Sequence, residues 1–187
     1  MAGKIALFVD KPDWHARQLK KAFAARAVET VMLSLGKSGF AIGRGDHGLK
    51  LPGFDGELPR AAFVRTIPGG SFEQVTMRLG VLHALRELGL PVHNDARAIE
   101  RCVDKSMTSF LLHQANIPTP PTWAVQSKAE AKRLVRAEAR PGRPLVLKPL
   151  FGSQGHGLRL IDRIGQLPDD EGMAGVYYLQ QFVVGPT

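Results

Sequence analysis

Apolar residues change their spacing several times along the chain, and each change marks an element. Residues 4–9 (KIALFV) form a short apolar run of the kind a buried strand needs. In residues 14–26, Leu19, Ala22, Phe23 and Arg26 recur at helical intervals, and residues 29–35 (ETVMLSL) return to a strand. Residues 36–60 are broken by glycine and proline, which predicts turns around short edge strands. Residues 61–65 (AAFVR) resume the sheet. Ser71 and Gln74 have capping-box spacing ahead of a helix striped by Val75, Leu79, Leu82 and Leu85 and stopped at Gly89. Residues 90–94 (LPVHN) make a further strand. Strands alternating with helices predict an open, largely parallel sheet.

The second half has a different rhythm. Asp104 is placed to cap a helix carrying Met107, Phe110, Leu111 and Gln114. Residues 117–123 (IPTPPTW) hold three prolines in five positions, a stiff connector and the clearest boundary element. Ser127 and Glu130 repeat the capping-box spacing before a helix to about residue 139. A turn at residues 140–144 leads to a strand at 145–150, a glycine loop at 151–157, a returning strand at 158–161 and a last strand at 177–183 (YYLQQFV). The fold class that follows is α/β: a parallel-sheet N-terminal domain over residues 1–94, a helical connector over 95–118 and an α+β domain over 119–179.

Composition narrows the classes of function. With 187 residues, 44% of them hydrophobic and 22% charged, the chain is long and apolar enough for an ordinary globular core. One cysteine, Cys102, excludes a disulfide framework within the chain, and it has no base positioned beside it. No apolar run reaches membrane-spanning length. The stretch 5–9 is too short for a signal peptide and is followed at once by Asp10. A cytoplasmic protein with no membrane partner is expected. Lys and Arg total 25 against 17 Asp and Glu, a net charge of +8. These charges are dispersed, and only two Tyr and two Trp are available for base stacking, which argues against nucleic acid as the main partner. Small polyanions such as nucleotides account for the same excess. The six histidines show no paired metal-ligand spacing.

The sharpest chemical signal is residues 145–161 (LVLKPLFGSQGHGLRLI). Gly152, Gly155 and Gly157 lie between two strands, where backbone N–H groups can approach phosphate oxygens without obstruction by Cβ. Lys148, four residues upstream, offers a point charge to the same phosphates. The loop is neither a Walker A sequence nor a dinucleotide fingerprint, since it returns to a strand. An ordinary hairpin with a loose tip, and a Lys148 that merely snorkels, read the same residues equally simply. By itself Lys105 is a solvated helix residue, and residues 177–183 are a plain core strand. Arg65 with the Ser71 helix start could hold a carboxylate or be unrelated surface features.

Taken together and in order, the segments around Asn94, Asp104-Lys105, the Lys148 strand, the glycine loop and YYLQQFV resemble the ATP-grasp superfamily. Residues 64–94 add a likeness to its alpha-L-glutamate ligase branch, related to the enzyme that adds glutamate to ribosomal protein S6, with wording nearest the ligases of tetrahydromethanopterin-type coenzymes. The resemblance implies a pre-ATP-grasp N-terminal domain, an ATP-grasp lid domain, and in residues 180–187 only the first edge of a third domain. It implies an ATP-dependent carboxylate–amine ligase working through an acyl phosphate, with ATP and Mg2+ as cofactors. The partners would be a carboxylate-bearing acceptor and an amino acid such as glutamate.

On this resemblance Lys105 and Lys148 reach the nucleotide phosphates. Gly152, Ser153, Gln154, Gly155 and Gly157 belong to the loop that covers them, and the main chain of Gln181, Phe182 and Val183 reads the adenine edge. Arg65, Ser71 and Asn94 are candidates for the substrate side. The family carries its metal-binding and catalytic residues on a later stretch, so both are expected beyond Thr187 and no metal ligand is assigned in this chain. A non-catalytic nucleotide-binding module and a basic RNA- or ribosome-associated protein stay as alternatives. The acceptor and a homo-oligomeric state are left open.

Overall fold

The computed structural model describes residues 3–43, 47–152 and 155–185. Two compact units divide the chain, Met1–Glu100 and Arg101–Thr187.

The first unit is built on a four-stranded, wholly parallel sheet. Its strands are β1 (Ile5–Phe8), β2 (Thr30–Leu33), β5 (Ala61–Val64) and β6 (Val92–His93), in the order β2-β1-β5-β6. Helix α1 (Trp14–Ala24) links β1 to β2, and α2 (Phe72–Glu87) links β5 to β6. The capping box at α2 is complete: the Ser71 side chain accepts from the Gln74 N–H, and the Gln74 side chain accepts from the Ser71 N–H. Leu79, Leu82 and Leu85 of the expected stripe are buried against Phe8 and Leu35, and Val75 packs at their margin.

Residues 36–60 differ from expectation. β3 (Gly39–Phe40) and β4 (Leu49–Lys50) pair only with each other, as a separate two-stranded ribbon and not as edges of the main sheet. The segment contributes instead through Leu49, Leu51 and Phe54, which are buried in the core of this unit.

Two helices occupy the stretch read as a helical connector: α3 (Ala96–Val103) and α4 (Lys105–Gln114), parted at Asp104. The end of the proline-rich stretch is not only a connector. Thr122 and Trp123 open β7 (Thr122–Val125), an edge strand. Prolines have no N–H to give a ladder, so they are tolerated immediately before an edge strand and not within a central one.

The second unit carries an antiparallel sheet of β7, β10 (Tyr177–Gln181), β8 (Leu145–Lys148) and β9 (Arg159–Ile161), in that order. One face buries Leu145, Leu147, Ile161, Tyr177 and Leu179 with Ala131 and Val135 of α5 (Lys128–Glu138). At the start of α5 only half of the expected capping box forms. Ser127 accepts from the Glu130 N–H, but the Glu130 carboxylate accepts from the Ser127 hydroxyl and not from its backbone.

Candidate nucleotide site

The chemistry of the second unit lies on the sheet face opposite its core. Side chains alternate along a strand, so burying Leu145 and Leu147 turns Val146 and Lys148 to the other face. The register sets Gln180 opposite Val146 and Thr122, and Tyr178 opposite Lys148. Helix α4 covers part of this face, where Ser109 and Tyr178 share a hydroxyl–hydroxyl hydrogen bond of 2.7 Å. The uncovered part is a cleft of about 410 Å3 whose lining includes Val146, Lys148, Leu160, Gln180, Phe182 and Val183. Among the described residues, Lys148 and Arg159 supply its charges, both positive, beside mainly apolar walls.

Lys148 Nζ donates to Gln180 Oε1 at 2.6 Å. Gln180 Nε2 donates to Thr122 Oγ1 at 2.9 Å, and the Thr122 hydroxyl donates to the Pro120 carbonyl at 2.8 Å. At Gln181 the ladder ends. The Gln181 N–H donates to Pro121 and the Phe182 N–H to Pro144, after which the backbone leaves the sheet beside the cleft.

Lys105 is placed by the start of α4. Asp104 caps that helix, its Oδ1 accepting from the N–H groups of Ser106 and Met107 and from the Ser106 hydroxyl. Burial works against the Asp104 carboxylate, but these bonds and the neighbouring Lys105 outweigh it and hold its pKa below the usual value. Lys105 Nζ then donates to the carbonyls of Pro149, Leu150 and Gly152, at 2.9, 3.1 and 2.8 Å. Burial, with the charge of Lys148 adding to it, pushes the Lys105 pKa down against the pull of Asp104. Lys105 thus grips the root of the glycine loop within reach of the charge of Lys148.

In that loop Gly157 has φ of +75°, and a Cβ there would lie 2.8 Å from the Pro149 ring. Only glycine meets both conditions. Ser153 and Gln154, also expected at the phosphates, lie outside the described residues.

The substrate candidates belong to the first unit. Arg65 and Asn94 line one cleft of about 490 Å3 together with Trp14 and His15. Arg65 Nη2 donates to Asp13 Oδ2 at 3.0 Å, and Asp13 is also the N-cap of α1. Asn94 donates to the Val64 carbonyl at 3.0 Å. Ser71 is not among the residues lining that cleft. Its hydroxyl donates to Glu73 at 2.6 Å, so the helix start already holds a carboxylate of its own. A second anion at that helix end would meet a like charge.

Sequence reasoning missed Gln180, Thr122 and Leu160. The alternation in YYLQQ carried the signal for Gln180, since it shares the face of Tyr178, but only the pairing register shows which strand neighbours stand beside it. Among the described residues no group of three or more His, Cys, Asp or Glu could hold a metal ion, and no helix is long and apolar enough to cross a membrane.

The fold is shared with a RimK domain protein of ATP-grasp type from Sphaerobacter thermophilus, with a TM-score of 0.67 at 23% identity over 97% of this chain and 64% of that one. The sequence is 33% identical over 144 residues to the tetrahydromethanopterin:alpha-L-glutamate ligase of Methanosarcina acetivorans, covering 67% of this chain and 42% of that protein. The chain thus has the fold of an ATP-grasp protein. It is also 31% identical over 111 residues to the alpha-aminoadipate–LysW ligase LysX of Saccharolobus solfataricus, covering 55% of this chain and 39% of that protein. No family model matches the chain. The chain spans about two fifths of the length of the curated relatives it matches.

Proposed function

We propose that the chain supplies the nucleotide-holding part of an ATP-dependent carboxylate–amine ligase. The observation that carries the reading is that Lys105 grips the root of a glycine loop while Lys148, on the strand leading into that loop, lines an apolar cleft edged by residues 181–183. A mainly apolar cleft that also carries cations matches the chemistry of a purine nucleotide. In this reading the apolar walls and the main chain of Gln181, Phe182 and Val183 take the base. Lys105, Lys148 and the backbone of Gly152, Gly155 and Gly157 take the phosphates, neutralising charge as a phosphoryl group moves to a carboxylate. An amine then displaces phosphate from the acyl phosphate to form the amide.

The domain roles are proposed in the same terms: residues 1–94 as the pre-ATP-grasp domain, 119–179 as the lid and 180–187 as the opening of a third domain. The names of the relatives support glutamate or a similar amino acid as a substrate. Arg65 and Asn94 are the residues offered to a carboxylate-bearing acceptor, in a cytoplasmic setting. Magnesium accompanies ATP in this class of reaction. The described residues form no cluster for it, so the roles assigned here concern the nucleotide alone.

Equilibrium binding of ATP to the chain and to Lys148→Ala tests the reading. Loss of a charge-assisted contact weakens binding about tenfold to hundredfold. Unchanged affinity, with the fold intact, would reject Lys148 as a phosphate contact.

A further inference from the structure

Lys148 does not stand alone in its cleft, and the bonds behind it have only one consistent direction. A carbonyl accepts and never donates, so the Pro120 carbonyl takes the Thr122 hydroxyl proton at 2.8 Å. That leaves the Thr122 oxygen an acceptor toward Gln180, whose NH2 group meets it at 2.9 Å. The Gln180 amide is then turned with its oxygen toward Lys148, at 2.6 Å. With the amide reversed, an NH2 group would face an ammonium, donor against donor, and the Thr122 oxygen would face a carbonyl oxygen. A backbone carbonyl on the proline-rich stretch therefore orients an amide on β10, which in turn orients a cation on β8.

We propose that Gln180 is a positioning residue for the Lys148 ammonium, aligned through Thr122 by the Pro120 carbonyl. The inference rests on the reading of Lys148 as a phosphate contact. The choice of amide matters chemically. A neutral acceptor fixes the direction of the ammonium and leaves its full charge for an incoming phosphate. A carboxylate at the same place would fix it as well and cancel that charge. A glutamate at position 180 would still accept from Lys148, with the Thr122 hydroxyl turned from Pro120 to its second oxygen, but it would oppose polyanion binding.

Two readouts test this on the 187-residue chain, with thermal unfolding as the check on folding. In proton–nitrogen spectra of lysine side chains, the Lys148 ammonium is expected to resonate as a group protected from solvent exchange. The signal should be lost in Gln180→Ala and Thr122→Val and kept in Thr122→Ser, which retains the hydroxyl. A Lys148 signal indifferent to Gln180→Ala would overturn the proposal whatever the chain binds.

In ATP titrations, Gln180→Ala should weaken binding about threefold to tenfold and Thr122→Ser should restore what Thr122→Val loses. Gln180→Glu should weaken binding about tenfold or more, and more than Gln180→Ala, while unfolding no earlier than Gln180→Ala. A merely structural Gln180 would not separate affinity from stability in this way. If Lys148→Ala weakens ATP binding while Gln180→Ala and Gln180→Glu bind as wild type, the positioning role is wrong and the nucleotide reading stands. If Lys148→Ala binds ATP unchanged, the nucleotide reading of Lys148 fails, and the ammonium signal alone decides whether Gln180 holds it.

Discussion

Lys105 Nζ donates a hydrogen bond to the carbonyl of Gly152 at 2.8 Å, joining the first turn of α4 to the glycine loop across 47 residues of sequence. The carbonyls of Pro149 and Leu150 accept from the same ammonium, so its three protons go to three carbonyls along one loop root. A cation enclosed by carbonyls is a brace for the backbone as well as a charge for a ligand.

Removing that brace should loosen the loop more than the fold. Lys105→Ala is expected to cost about 1 kcal/mol of stability, because water reaches the freed carbonyls. Amide exchange at Gly152 and Gly155 should accelerate in the variant while exchange in β8 and β10 stays slow. Equal protection at Gly152 with and without Lys105 would contradict the bracing role.

Gly155 and Gly157 separate backbone strain from collision. Both have left-handed φ, +72° and +75°. An added Cβ at Gly155 lies 3.8 Å from Leu158 Cδ1, an ordinary contact, whereas at Gly157 it lies 2.8 Å from Pro149 Cγ. Gly155→Ala should cost about 1 kcal/mol from strain alone, and Gly157→Ala about 1 to 3 kcal/mol more as overpacking adds to it. Chemical unfolding of the two variants measures the difference, and equal losses would mean the proline gives way.

The α4 cap should make part of the stability acid-sensitive. The pKa of Asp104 is held below its ordinary 3.8 in the folded chain. Its contribution is therefore complete above that ordinary value and is lost as pH falls through the folded value. Asp104→Ala should destabilise by about 1 kcal/mol near neutrality. The gap in melting temperature between variant and wild type should close in acid. A gap of constant size down to the acid transition would show that the carboxylate charge plays no part.

Tyr177 offers a spectroscopic check on the second core. It is fully buried, and its hydroxyl donates to the Pro168 carbonyl at 2.9 Å and to Asp170 Oδ1 at 2.8 Å. Burial first, then the bond to Asp170 and the charges of Asp170 and Asp169, push its pKa up to about 12. Ultraviolet titration should show this phenol ionising well above the ordinary tyrosine range. Tyr177→Phe should remove that late phase and cost about 1 to 2 kcal/mol. A phenol titrating near 10 in the folded chain would refute the buried pairing.

Apolar periodicity and caps made much of the fold legible without coordinates. Residues 4–9, 29–35 and 61–65 read as strands and contain β1, β2 and β5; the Ser71–Gln74 pair set the start of α2. These signals survive because they are local: a strand needs consecutive apolar residues, and a cap needs two side chains three positions apart. Gly157 was legible for a related reason, since its backbone conformation admits few other residues.

The tertiary structure decided what depends on contacts distant in sequence. Residues 36–60 carried turn signals throughout, and only packing shows that Leu49, Leu51 and Phe54 complete a core. By themselves Lys105 read as a solvated helix residue and Lys148 as a phosphate contact or a snorkelling side chain. That one grips three loop carbonyls, and the other the amide of Gln180, follows from the strand pairings and the helix start that carry them. A sequence specifies each donor and acceptor, but which of them lie within 3 Å is settled only when the sheet has closed its register.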